Sequence, residues 1–173
     1  QALVAAISVF SLIDEKSEEN IGEQLMSNVE GDIIFQNVSF SYNDEKVSLN
    51  NINLTIKQGE TIALVGSTGS GKTTLINLLI RFYNPTNGKI LINNKDINSF
   101  DLESFRSNFS FVDQNVRLFN DTISGNIAFG QKDKMTMDSI VDAAKISNSI
   151  EFIEKLDEKF DSEIGEDGVT LSG

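Results

Sequence analysis

Residues 66–73 read Gly-Ser-Thr-Gly-Ser-Gly-Lys-Thr, an unbroken match to the phosphate-cradling pattern GxxxxGK[ST]. The flanks suit it. Residues 61–65 (TIALV) form a short apolar run that predicts a buried strand, and residues 74–82 (TLINLLIRF) carry the apolar weight of a packed helix. Strand, glycine loop and helix follow in the order such a site needs. Gly66, Gly69 and Gly71 let the backbone turn so that successive N–H groups converge on phosphate oxygens, with the positive end of the following helix behind them. A side-chain carbon at those positions would obstruct that approach. Lys72 is placed to reach the β- and γ-phosphates, and the Thr73 hydroxyl to take one position on Mg²⁺. Ser67, Thr68, Ser70 and Thr74 complete the candidate nucleotide-binding set in this segment.

The bulk numbers restrict the alternatives. A chain of 173 residues with 39% hydrophobic content and a single proline can bury a core and is globular in composition. Its net charge of −12 argues against a nucleic-acid surface, which wants a basic face. Cysteine and histidine do not occur, so disulfides, thiolate–zinc sites and histidine catalysis are excluded from these residues. No run reaches the roughly 18 apolar residues of a spanning helix. Residues 2–13 (ALVAAISVFSLI) come nearest; they lack a basic flank and run directly into the acidic residues 14–19, unlike a signal peptide. They suit either the cytoplasmic end of a helix descending from a membrane domain or an amphipathic helix lying on its own domain.

Residues 14–30 are acidic and polar, with the composition of a linker. Residues 33–42 (IIFQNVSFSY) and 52–56 (INLTI) alternate as strands around the turn-rich residues 43–46, predicting a small antiparallel layer ahead of the loop. After the helix, residues 84–88 (NPTNG) mark a turn, 89–92 a strand, and Asn93-Asn94 a tight connection. Residues 109–112 read as another short strand. Beyond Asp113-Gln114 the pattern becomes helical, with Thr136 as N-cap for residues 137–146 and a second helix across 150–156.

A phosphate loop alone does not select among GTPases, kinases and transport ATPases. Asn94-Lys95-Asp96 misses the guanine-reading pattern because Ile97 stands where an aspartate belongs, and no Asp in the chain has Gly three residues later. Residues 10–15 (FSLIDE) imitate an apolar strand ending in an acid pair, but they precede the loop and contain a serine. Residues 109–113 (FSFVD) imitate it better, and with Gln114 would give a kinase-like or helicase-like ATPase.

Taken in order, four segments resemble the nucleotide-binding domain of ATP-binding-cassette (ABC) exporters: Phe40-Ser41-Tyr42, the loop at 66–73, residues 111–119 (FVDQNVRLF), and residues 165–168 (GEDG) followed by Leu171-Ser172-Gly173. The similarity runs from about residue 30 onward. It implies an α/β P-loop NTPase core with an N-terminal antiparallel β layer and the start of a helical subdomain, incomplete because the chain stops inside the signature motif. It divides the chain into the end of a membrane-domain helix (1–13), a linker (14–30), the N-terminal part of the ATPase core (31–114) and a helical subdomain (115–173). It implies that Tyr42 stacks on adenine, that Gln114 touches Mg²⁺ and the attacking water, and that Ser172 and Gly173 serve the ATP of a second ATPase domain. Tyr42→Phe should then leave affinity nearly unchanged. No catalytic residue is expected in this stretch, since the family's Walker B glutamate and switch histidine fall beyond Gly173.

Residues 115–122 (NVRLFNDT) and 164–168 (IGEDG) look most like bacterial lipid A and phospholipid flippases, with peptide or drug exporters and soluble ABC ATPases as alternatives. The implied partners are a second copy of the domain, a transmembrane domain of its own and a lipid substrate, at the cytoplasmic face of the bacterial inner membrane. Asp113 departs from the family, which has a small or neutral residue there; an acid beside Gln114 would either weaken metal binding or point into solvent.

Overall fold

A computed structural model describes residues 2–15, 17–43, 47–114, 116–131 and 134–165. The chain divides into two compact units, residues 1–111 and 112–173. The first begins with helix α1 (Ala2–Ile13), whose Phe10, Leu12 and Ile13 are exposed. It then builds one antiparallel sheet from β1 (Ile33–Ser41), β2 (Val47–Ile56), β3 (Asn87–Ile92) and β4 (Lys95–Asp96), in the spatial order β2-β1-β3-β4. This is the antiparallel layer that the alternation at 33–42 and 52–56 predicts, with β2 starting five residues earlier.

The alternation in β1 contains an irregularity that the fold explains. Phe35, Val38 and Phe40 are all buried, although 35 and 38 differ by three. Asn37 adopts φ 50°, where asparagine is tolerated, and the ladder shifts register between Phe35 and Val38. The bulge turns the strand by one residue, so both apolar sets face the same core. Asn93 and Asn94, at φ 55° and 60°, make the two-residue left-handed turn that joins β3 to β4.

Helix α2 (Lys72–Leu79) packs Leu75 and Leu78 onto that core beside Phe35, Ile90 and Phe105. It starts two residues before the apolar pattern does and stops three residues short of Phe82. The stop is a Schellman closure: Arg81 takes φ 58°, its N–H donates to Leu78 O at 3.2 Å, and the Phe82 N–H donates to Asn77 O at 2.9 Å. Arginine at a position that favours glycine is held there by its buried guanidinium, which donates to Phe100 O at 2.8 Å.

The strand predicted at residues 61–65 does not form. Ile62, Leu64 and Val65 are exposed, Val65 to 93%. The reason is topological: no described strand lies beside this segment, and an extended run becomes a strand only when a neighbour takes its N–H and C=O groups. The same correction applies to residues 109–112, which carry no strand and leave Phe111 and Val112 exposed.

Residues 17–30 contain no helix or named strand, yet they are anchored to the first unit. Gln24 forms a parallel bridge with Phe100, Met26 is buried, and the Asn20 amide donates to Asp101 at 2.6 Å. The approach is close enough that a Cβ on Gly22 would lie 2.0 Å from Phe100 O.

In the second unit, β5 (Asp121–Thr122) pairs antiparallel with β6 (Glu163–Ile164) beside helices α4 (Ile123–Ile127), α5 (Met137–Ile146) and α6 (Ile150–Ile153). Helix α5 has the predicted bounds, and Thr136 caps it by accepting from the Ser139 N–H at 3.3 Å. Ile140 and Ala144, one turn apart, bury with Ile123, Ile153 and Phe160. The second predicted helix is shorter than expected, ending at Ile153.

Candidate functional site

The loop at residues 66–71 is shaped by glycine where glycine is required. Gly69 and Gly71 have φ 81° and 88°, and Gly71 is the N-cap of α2. A Cβ on Gly71 would lie 2.6 Å from Leu49 Cδ2 and 2.9 Å from Ser48 O, so the loop and β2 approach to within a distance only a bare Cα allows. No side chain caps the N-terminus of α2, and no acidic residue stands in its first turn. Its first N–H groups are therefore presented with the positive end of the helix dipole uncompensated, a local anion-binding environment within an acidic chain.

Lys72 reaches back over this loop. Its ammonium donates to Gly66 O at 2.8 Å, to Ser67 O at 2.9 Å and to Ser70 Oγ at 3.3 Å, closing the loop around a single positive charge. The Ser70 N–H donates to Ser67 O at 3.2 Å within the same turn. Thr68 and Thr73 are exposed, whereas Thr74 is buried and shares a 3.2 Å hydrogen bond with the Tyr42 hydroxyl. An open hollow of about 350 Å³ is lined by Tyr42, Ser48 and residues 69–74. The predicted aromatic and residues 69–74 of the predicted set thus line one hollow, whereas Gly66, Ser67 and Thr68 are not among its lining residues.

Two contributors were not singled out by sequence reasoning. Ser48 lines the hollow from β2, and nothing in its neighbourhood marks it in the sequence. Tyr83 packs edge-to-face against Tyr42, with ring centroids 5.1 Å apart. An aromatic residue immediately before the turn at 84–88 was the available signal.

The far end of α2 is held as firmly as its start. Arg106, from α3 (Leu102–Arg106), donates through Nε to Ile80 O at 3.0 Å and through Nη2 to Arg81 O at 2.6 Å, satisfying carbonyls at the helix end. The same guanidinium pairs with both oxygens of Glu18, and this holds the Glu18 carboxyl below its ordinary value. Burial pushes the Arg81 guanidinium down, with the nearby Arg106 charge acting in the same direction. Asp101 caps α3 by accepting from the Ser104 N–H at 2.8 Å, and its carboxyl is lowered by that bond and by the Asn20 amide.

Gln114 and Asp113 belong to the second unit. Both are exposed, and Asp113 Oδ1 accepts from the Gln114 N–H at 2.7 Å. Ser172 and Gly173 lie outside the described residues, as do Asn115 and residues 166–168. Among the described residues no group of three or more acidic, cysteine or histidine side chains could hold a metal ion by itself. Thr73 is exposed and lines the hollow, and a hydroxyl there fits a hard cation that takes most of its oxygen ligands from phosphate and water.

With this geometry in place, comparison with known proteins decides the family. Residues 49–173 match the family described as ABC transporter. The chain belongs to the ABC transporter family. It is 44% identical over 174 residues to an ATP-dependent lipid A-core flippase of Haemophilus ducreyi, covering 100% of this chain and 30% of the relative. A protein of the same description from Blochmanniella floridana is 45% identical over 173 residues, covering 99% of this chain and 30% of the relative. Among solved structures, a bacterial Atm1-family ABC exporter with ATP bound superposes with a TM-score of 0.84 at 35% identity, over 99% of this chain and 30% of that one. This chain therefore spans about 30% of the length of the relatives it matches. The stretch belongs to the ATP-binding domain of an ABC transporter, with the P-loop NTPase fold. No helix among the described residues is long and apolar enough to cross a membrane.

Proposed function

We propose that the hollow between Tyr42 and residues 69–74 binds MgATP, and that the complete protein uses ATP to export lipid across the bacterial inner membrane. The observation that carries this reading is that an aromatic side chain and the phosphate loop at the N-terminus of α2 line one hollow. In it, Tyr42 stacks on adenine, and Gly66, Ser67, Thr68, Gly69, Ser70, Gly71 and Thr74 surround the phosphates with backbone N–H and hydroxyl donors. Lys72 exchanges its bonds to Gly66 O and Ser67 O for the β- and γ-phosphate oxygens. Thr73 would hold Mg²⁺, which would neutralise phosphate charge; a role for Gln114 toward that ion rests on the family resemblance alone. Such a site works by positioning and electrostatics, so most of its catalytic effect comes from groups fixed before the phosphates arrive.

The finer assignments rest on the similarity to the lipid A-core flippases. On this reading residues 1–13 end a membrane-domain helix, 14–30 link it to the ATPase core at 31–114, and 115–173 belong to a helical subdomain. Ser172 and Gly173 contact the nucleotide of a second, identical domain, and the protein sits with this domain at the cytoplasmic face. The likeness to an Atm1-family exporter supports export as such, and a second reading keeps a peptide or drug as the cargo.

The test is Lys72→Ala in the complete protein reconstituted in liposomes. ATP turnover should fall below detection while the protein still folds; unchanged turnover would refute the assignment of the loop. Stimulation of wild-type turnover by lipid A-core, against other exporter substrates, separates the two readings of cargo.

A further inference from the structure

Three aromatic rings meet beside the phosphate loop. Phe40 is buried at 5% exposure on β1, and Tyr42, two residues on, sets its ring edge-to-face on it at 4.8 Å and 84°. Tyr83, which follows α2 by four residues, closes the triangle at 5.1 Å and 87° to Tyr42 and at 5.5 Å and 50° to Phe40. Tyr42 and Tyr83 remain 51% and 45% exposed. The Tyr42 hydroxyl is tied to Thr74 Oγ1, while the Tyr83 hydroxyl makes no hydrogen bond among the described residues. Tyr42 is thus gripped at its tip by α2 and along its ring by Tyr83, while half its surface stays exposed and the residue lines the hollow.

We propose that Tyr83 is a positioning residue for base recognition: it holds the Tyr42 ring, jointly with Thr74, in the orientation in which the ring accepts a purine. The inference rests on the reading that Tyr42 stacks on adenine. A half-exposed tyrosine standing alone would sample several rotamers and lose that freedom when a base stacks on it. Two edge-to-face contacts and one hydrogen bond restrict the ring beforehand, so the stacking contact is gained without that loss. Tyr83 acts through its ring, because its hydroxyl makes no bond among the described residues. It lies just beyond the Schellman closure of α2, so the helix that carries Lys72 and Thr73 also sets where Tyr83 stands. The base half and the phosphate half of the site are mechanically one piece.

The experiment titrates the complete protein, and its Tyr83→Ala, Tyr83→Phe and Tyr42→Ala variants, with ATP and separately with inorganic tripolyphosphate, which has no base. Unfolding midpoints are measured alongside. Tyr83→Ala should weaken ATP about 3- to 10-fold, the range expected from losing an aromatic contact, and leave tripolyphosphate affinity unchanged. Tyr83→Phe should restore ATP affinity to within about twofold, since the ring is retained. If Tyr42→Ala weakens ATP while Tyr83→Ala does not, the positioning role is overturned and the stacking role of Tyr42 stands. If Tyr83→Ala weakens tripolyphosphate as much as ATP, Tyr83 supports the fold rather than the base, and the proposal is overturned. If Tyr42→Ala leaves ATP affinity unchanged, both the stacking role and the proposal fall.

Discussion

Gly69 and Gly71 make the same backbone demand in different surroundings, and alanine at each should separate strain from collision. Both have φ near 80–90°, so alanine at either costs roughly 1–2 kcal/mol for entering left-handed space. At Gly69 a Cβ meets nothing within 4 Å, and that is the whole structural penalty. At Gly71 the Cβ would stand 2.6 Å from Leu49 Cδ2, on a buried side chain, and 2.9 Å from the Ser48 carbonyl oxygen, on the backbone of β2. The leucine can rotate slightly, but the carbonyl moves only if β2 and the loop separate. Overpacking of this kind adds about 1–3 kcal/mol. Denaturant unfolding of the chain without nucleotide should therefore show Gly71→Ala less stable than Gly69→Ala by that amount, and thermal unfolding should show a midpoint lower by about 2–12 °C for a domain of this size. ATP affinity should fall in both, because either Cβ intrudes where phosphate approaches. Equal loss of stability in the two variants would refute the argument that contact with β2, and not backbone conformation alone, demands glycine at residue 71.

Arg106→Ala should destabilise the first unit by about 2–4 kcal/mol, since it strips Ile80 O and Arg81 O of a charged donor and leaves Glu18 unpaired; Arg106→Lys should recover only part, because one ammonium cannot span these acceptors. Unfolding of both variants by urea checks this. The Glu18 carboxyl, lowered from an ordinary 4.5 by Arg106, binds fewer protons in the folded chain than in the unfolded one. Its contribution is thus complete above pH 4.5 and is lost as pH falls through the lowered folded value. Glu18→Gln should flatten the acid side of the stability–pH profile, and an unchanged profile would count against the pairing. Tyr42→Phe, near-neutral on sequence grounds, loses the bond to Thr74 Oγ1 and should weaken ATP by about 2- to 10-fold, measured by titration.

Whatever depends on neighbours along the chain was legible in the sequence. The glycine loop needs only its own backbone freedom, and the bounds of α5 follow from a threonine cap and a helical repeat within ten residues. The Asn93-Asn94 turn is equally local. What depends on residues far apart was not legible. A run such as residues 61–65 has strand composition, but hydrogen bonds from another segment decide whether it becomes one, and no described strand supplies them. The polar composition of residues 14–30 does not reveal that Glu18 meets Arg106 88 residues later, or that Gly22 rests against Phe100. Family similarity singled out Tyr42 but not Tyr83, because the meeting of their rings depends on where β1 and the end of α2 come to lie. Local chemistry thus marked the residues able to hold phosphate, and long-range packing decided which side chains stand around them.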